Sequence, residues 1–194
     1  MQVTGIFPTP IYGAVDIKQI TELELDFVEK QKSKIRKNDG NTATLDTYVL
    51  EQVVFKDLKN IFEQHLEEYL KKVICPVETN IEIYITQSWL NVYPPTAFNP
   101  VHHHINSIIS GVFYINCLEY SGEKRDGINF TNSAHEIARD IELPIAHSTI
   151  FSDKISNVSV ATGDLVLFPS SVRHSVNINE TPDQTRISLA FNAI

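Results

Sequence analysis

Residues 99 to 116, "NPVHHHINSIISGVFYIN", set three histidines side by side ahead of an apolar run. On an extended strand, side chains at i and i+2 share a face, so His102 and His104 converge on one point while His103 points away. A metal site needs a further donor, and the best candidate is His174 in "GDLVLFPSSVRHSVNIN". There Gly163 and Asp164 make a turn, residues 165 to 168 make a buried strand, and Pro169 with two serines breaks it just before the histidine. A histidine beside such a break is held at the mouth of a barrel, as a ligand needs to be. The competing reading is an exposed turn carrying three adjacent histidines, with a hydrogen-bonded histidine downstream. Spacing alone leaves both standing. His135 and His147 stand in polar, loop-like surroundings, and His65 reads as structural.

Arg186 lies twelve residues beyond His174 in "QTRISLAFN", where Arg186, Ser188 and Ala190 share one face of a strand and Ile187, Leu189 and Phe191 share the other. If the face with the small residues lines a cavity, a buried guanidinium there is costly unless it meets an anion. A carboxylate is its natural bidentate partner, with the Ser188 hydroxyl as an additional donor. The alternative is an outward-facing arginine on an edge strand.

Elements of two kinds must position these groups. Residues 17 to 36 carry Ile20, Leu23, Phe27 and Val28 at helical spacing, and "KNDGN" (37 to 41) ends that pattern. A second helix is expected over 51 to 74, where Val54, Leu58, Ile61, Phe62 and Leu66 mark one face that packs on a core. From residue 80 the pattern changes to short segments rich in Ile, Val, Tyr, Phe and Thr, bounded by Pro, Gly, Asn and Asp. Strands are expected at 81–92, 100–104, 108–116, 127–131, 149–151, 156–160, 164–168, 173–178 and 185–192. Helices first and strands afterwards predict a mainly β sandwich or barrel with helices packed outside. The expected organisation is a single domain over 1–194, with a helical part at 1–79 and the β core at 80–194.

The chain has 194 residues, 42% of them hydrophobic, and a formal net charge of −8. A chain of this size buries roughly 70% of its unfolded surface, which is enough for one substantial core. The acidic balance argues against non-specific nucleic-acid binding, which depends on Lys and Arg displacing counterions from phosphates. No segment approaches 18 apolar residues and the N-terminus lacks the pattern of a secretory signal, so a cytoplasmic protein without membrane association is expected. Cys75 and Cys117 lie far apart without C-x-x-C spacing and read as small apolar packing groups. No G-x-S-x-G, P-loop or G-x-G-x-x-G signature is present.

Taken together, H-x-H, "SGVFYIN", "GDLVLFPS", the distal histidine and R-x-S resemble the iron(II) and 2-oxoglutarate dependent dioxygenases. The closer similarity is to a small oxygenase family known from bacteria and marine phages, carried in order by "IFPTPIY", "SWLNVYPP", "HHHINSIISGVFYI" and "GDLVLFPSSVRHSV". The resemblance implies a cupin-like double-stranded β-helix, or jelly roll. It also implies Fe(II) bound by His102 and His174, with 2-oxoglutarate held at its distal carboxylate by Arg186 and Ser188. By looser analogy, Asn91, Tyr93, Tyr114 and Asn116 line the co-substrate pocket. Hydroxylation of a small-molecule or peptide substrate by dioxygen is the expected outcome, with the metal centre carrying the chemistry.

One position departs from the wider superfamily, whose commonest motif is H-x-D or H-x-E. Here the second residue is His104. Either it ligates the metal or it stands in an outer shell while water or an anion takes the place; the reach of position i+2 favours ligation. Three neutral imidazoles would leave the iron site one charge unit more positive than two imidazoles and a carboxylate. Two further readings stay open: a three-histidine cupin-type metalloenzyme without 2-oxoglutarate, and a non-enzymatic jelly-roll interaction protein. The long amphipathic helix is as suited to pairing across a homodimer as to packing on its own sheet.

Overall fold

The structure, a computed structural model, describes residues 8–77, 81–120, 126–132, 149 and 153–194. Of the strand expected at 149–151 only Thr149 is described, and His135 and His147 lie outside the described residues.

The N-terminal half supplies the helices of the outer layer and three short strands at the two edges of the larger sheet. Helix α1 (Glu22–Gln31) begins with a capping box: Thr21 Oγ1 accepts from Glu24 N–H, and the Glu24 carboxylate accepts from Thr21 N–H. The cap explains why the helix starts at residue 22 rather than 17. Its expected C-terminal turns are instead strand β2 (Ile35–Lys37), which pairs with β3 (Thr42–Thr44). Residues 35–37 are all exposed, so they have no apolar face to hold a helix against the core, and Gly40 at φ +84 closes the hairpin between the strands. A short strand β1 (Tyr12–Ala14) precedes α1.

Helix α2 (Lys56–Tyr69) follows two short 3-10 turns and buries Leu58, Phe62, Leu66 and Tyr69, one face at i, i+4, i+8 and i+11. A π turn (Leu70–Ile74) ends it at Cys75, whose left-handed φ of 49 redirects the chain. The Phe62 ring stacks on Phe191 at 5.0 Å and tilts against Phe113 at 5.3 Å. These contacts fasten the helical layer to the sheet that carries the arginine.

The remaining strands are β4 (Ile85–Tyr93), β5 (Asn99–His102), β6 (Ile109–Asn116), β7 (Asp126–Thr131), β8 (Ile155–Val160), β9 (Leu165–Pro169), β10 (His174–Val176) and β11 (Arg186–Ala193). They form two antiparallel sheets, one ordered β1-β9-β6-β11-β4-β3-β2 and the other β5-β10-β7-β8. The chain crosses repeatedly between them, giving a double-stranded β-helix.

In β11, at the centre of the larger sheet, Ile187, Leu189, Phe191 and Ala193 join the core shared with the helices. Arg186, Ser188 and Ala190 line a cavity on the opposite face. Gly111, opposite Phe191, is required by close approach, since a Cβ there would lie 2.2 Å from the Phe191 ring. A second apolar cluster, including Tyr114, Ile128, Phe130 and Phe168, joins residues of the two sheets. No helix among the described residues is long and apolar enough to cross a membrane.

Candidate metal and co-substrate site

His102 ends β5 and His174 begins β10, and the two are direct cross-strand partners. Their rings lie 4.2 Å apart between centroids. This pairing, rather than neighbourhood in sequence, is what joins the two distant stretches of chain. His104 reaches the same place by a different route from the one its spacing suggests. The strand stops at His102, so simple alternation does not aim His104; the chain turns and the His104 N–H donates to Ser170 O at 2.9 Å. One potential ligand nitrogen from each of His102, His104 and His174 lies within 4.8 Å of the others.

Hydrogen bonds select which nitrogen each ring offers. His102 Nδ1 meets Pro100 O at 2.9 Å, and His174 Nδ1 meets Val172 O at 3.0 Å. A carbonyl only accepts, so both Nδ1 atoms carry a proton, and in the neutral ring the free lone pair is on Nε2. His104 Nδ1 lies 2.6 Å from Asn192 Oδ1, with Ser110 Oγ at 3.0 Å. Donation to the amide oxygen likewise frees its Nε2. Such outer contacts fix ring orientation at metal sites.

Electrostatics favour neutral rings at His104 and His174. Burial, with added repulsion from His102, lowers the His174 pKa to about 3. Burial also lowers that of His104, against the hydrogen bond to Asn192. Neutral imidazole is the metal-binding form, so protons compete weakly here.

A cavity of about 440 Å³ links the histidines to the guanidinium of Arg186. Asn91 and Tyr93 line it from β4, Tyr114 from β6, and Arg186 and Ser188 from β11. Asn116 does not join them. It lines a separate groove of about 920 Å³, and its amide donates to Thr185 O at 2.7 Å. The register of β6 against β11 shifts between Ile187 and Ser188, which breaks the alternation that relates Asn116 to Tyr114. Cys117 lines that same groove, with its thiol pushed up to about 12 by burial, so it is not a nucleophile at neutral pH.

Arg186 is 2% exposed. Its Nη1 donates to Asp126 Oδ1 at 2.8 Å and to Gly127 O at 3.1 Å. The Tyr93 and Tyr114 rings lie 5.4 and 5.1 Å from the guanidinium carbon. Burial opposes its charge, but Tyr114, Asp126 and Tyr93 outweigh that and hold its pKa above the ordinary arginine value. Arg186 Nε and the Tyr114 hydroxyl are buried without a hydrogen-bond partner. Two orphaned polar groups in one cavity wall, one cationic, fit an anionic ligand with lone pairs to offer. The metal and 2-oxoglutarate thus fit the residues present: three neutral nitrogen donors at one end and a carboxylate receptor at the other.

Some contributors were not apparent in the sequence. Asn192 extends the Arg186, Ser188, Ala190 alternation by one step, which was a readable signal. Asp126 gave none, since its partner lies 60 residues away, and Ser110, six residues from His104, is one of two serines in that stretch with nothing to single it out. Trp89, whose ring tilts over His104 at 5.6 Å, lies two residues before Asn91 on the same strand face.

Known proteins share the sequence pattern and the fold. Residues 87–192, more than half of the chain, match the family described as "Putative 2OG-Fe(II) oxygenase". A Pseudomonas putida prolyl-4-hydroxylase superposes with a TM-score of 0.63 at 14% identity, covering 95% of this chain and 92% of that one. HygX from Streptomyces hygroscopicus, solved with nickel, 2-oxoglutarate and hygromycin B, gives 0.60 at 12% identity, covering 95% and 82%. The α-ketoglutarate dependent epimerase SnoN from nogalamycin biosynthesis gives 0.65 at 11% identity, covering 96% and 78%. No curated protein matches the chain in sequence. The matched segment begins on β4 and runs almost to the end of β11, and the chain belongs to the iron(II) and 2-oxoglutarate dependent oxygenase family.

Proposed function

We propose that His102, His104 and His174 bind Fe(II) through Nε2, and that Arg186 and Ser188 hold the distal carboxylate of 2-oxoglutarate in a hydroxylase acting on a small molecule or peptide. The observation that carries this reading is the shared cavity, with three free Nε2 lone pairs at one end and the unpartnered Arg186 Nε at the other.

When bound, the iron and co-substrate supply the oxidising chemistry, in which dioxygen and 2-oxoglutarate are converted to succinate and carbon dioxide as a substrate C–H becomes C–OH. The chain does the positioning. Pro100 O, Val172 O and Asn192 Oδ1 hold the three Nδ1 protons and so aim the rings. Tyr93 and Tyr114 wall the guanidinium against water, and burial keeps both hydroxyls protonated by raising their pKa values. Tyr114 is then a hydrogen-bond donor to the co-substrate, and no side chain has to act as nucleophile or strong base. Asn91 completes the wall, and its amide oxygen accepts from Asn41 at 3.4 Å.

Arg36, Asn38, Asp39 and Val101 line the same cavity and offer the rim at which substrate enters. This rim combines both charges, an amide and an apolar surface. A peptide and a small polar metabolite both suit it, in line with relatives solved with a peptide fragment and with hygromycin B. Action in the cytoplasm as a single domain, with α2 turned inward, completes the reading.

The test is anaerobic titration of the Fe(II) protein with 2-oxoglutarate. A new visible charge-transfer band, together with succinate formation lost in His174→Ala and Arg186→Ala, supports the assignment. Retained metal with no 2-oxoglutarate binding, or turnover unchanged in His174→Ala, overturns it.

A further inference from the structure

A buried ion pair behind the co-substrate clamp acquires a purpose when the charges of the site are counted. With the proposed ligands, the divalent metal and the guanidinium contribute three positive charges. The two carboxylates of 2-oxoglutarate contribute two negative ones, and three neutral imidazoles contribute none. The filled site would hold one uncompensated positive charge in a buried region, which is costly at low dielectric. In an H-x-D or H-x-E site a carboxylate ligand removes it. Here His104 stands in that position, and a carboxylate appears at the other end of the cavity instead.

That carboxylate is Asp126, 5% exposed, with Oδ1 accepting from Arg186 Nη1 at 2.8 Å. It does not line the 440 Å³ cavity. It borders a separate pocket with Tyr120, Gly127 and Asn157, so it grips the guanidinium from behind and leaves Nε unpartnered. Two backbone donors fix it: Gly127 N–H at 2.8 Å to Oδ1 and Leu118 N–H at 3.1 Å to Oδ2.

We propose that Asp126 is a positioning residue that carries, behind Arg186, the negative charge which related sites place on the metal, and so sets the affinity of this site for the dianionic co-substrate. The inference rests on the proposed ligand set. Asp126 touches neither metal nor 2-oxoglutarate; it acts through Arg186, by aiming it and by offsetting its charge.

The test is calorimetric titration at pH 7 of the protein loaded with Zn(II), which binds without turnover. One titrant is 2-oxoglutarate. The other is 2-oxopentanoate, which has a methyl group in place of the distal carboxylate. Asp126→Asn is expected to tighten 2-oxoglutarate by about tenfold or more, the scale of one buried charge, while changing 2-oxopentanoate far less. His104→Asp, which moves a carboxylate to the metal end while Asp126 stays, is expected to weaken 2-oxoglutarate by a similar factor. The double variant returns towards the wild-type value.

A merely structural Asp126 predicts the opposite, with Asp126→Asn weakening both ligands and the double variant weaker than either single one. Either result overturns the inference. If circular dichroism shows Asp126→Asn to be misfolded, Asp126→Ser takes its place in the same titrations, and an unchanged or weaker 2-oxoglutarate affinity overturns the inference. Absence of 2-oxoglutarate binding to the wild-type Zn(II) protein overturns instead the ligand assignment beneath it.

Discussion

Replacing Arg186 by methionine separates what this residue does for the fold from what it does for the co-substrate. Arg186 and Asp126 have side-chain exposures of 3% and 5%, and they meet at 2.8 Å. Methionine keeps the apolar stem but leaves the Asp126 carboxylate buried without its cation. Breaking such a pair typically costs about 3–5 kcal/mol. The two backbone donors that remain on Asp126 place the expected loss near the lower end, about 3 kcal/mol. Set against a total stability of roughly 5–15 kcal/mol, that is a large fraction. The assay is urea unfolding of metal-free protein at pH 7, followed by far-UV circular dichroism, with the midpoint falling at an unchanged slope. Adding Asp126→Asn to Arg186→Met removes the stranded charge, so the double variant is expected to recover at least about half of the loss. A single-variant loss below about 1 kcal/mol, or a double variant no more stable than the single one, would refute the reasoning that this pair is held by mutual compensation. Loss of turnover in any Arg186 variant therefore has to be read beside its unfolding curve.

Three further outcomes follow from the same contacts. Asn192→Ala removes the oxygen that accepts from His104 Nδ1 at 2.6 Å and is expected to lower metal affinity about 10–100-fold in Zn(II) competition titrations, beside a loss of about 1–3 kcal/mol in the metal-free protein because Ser110 Oγ loses the same acceptor. Gly111→Ala drives a methyl to 2.2 Å from a Phe191 ring that is itself stacked on Phe62, and is expected to cost about 1–3 kcal/mol in urea unfolding. In metal-free protein the His174 pKa of about 3 lies below the usual unfolded value near 6.5, so the unfolded chain takes up the proton first. Its contribution is present above that unfolded value and is lost as pH falls from it towards 3, at up to roughly 1.4 kcal/mol per unit. Melting curves of His174→Gln against pH should lose this part of the acid slope.

Much of the site was legible because it sits on regular strands. The alternation in "RISLAFN" correctly divides Arg186, Ser188 and Ala190 from the core-facing Ile187, Leu189 and Phe191, since period two leaves little choice on a strand covered on both faces. The grouping of His102, His104 and His174 was legible too, although the reason differs. His174 is brought in by cross-strand pairing with His102, and His104 by a turn held on Ser170.

What was not legible depends on contacts between distant residues. Asn116 leaves the cavity because of a register shift that only the partner strand reveals. Asp126 follows the charged stretch "GEKR", where a solvent-exposed acid is the natural reading, until β7 sets it against an arginine 60 positions later. The strands β1, β2 and β3 are three residues each, too short to show alternation, and β2 falls within the expected first helix. Tertiary pairing overrides weak local preference in all three cases.

The central claim is that three imidazoles and one guanidinium serve a single cavity. The measurement that tests it most directly is a crystal structure of metal-loaded protein with N-oxalylglycine, an inert analogue of 2-oxoglutarate, read with anomalous scattering from the metal. The account predicts one metal on the Nε2 atoms of His102, His104 and His174, with the far carboxylate of the analogue on Arg186 Nε. A metal bound elsewhere, or an analogue whose far carboxylate points away from Arg186, would contradict it.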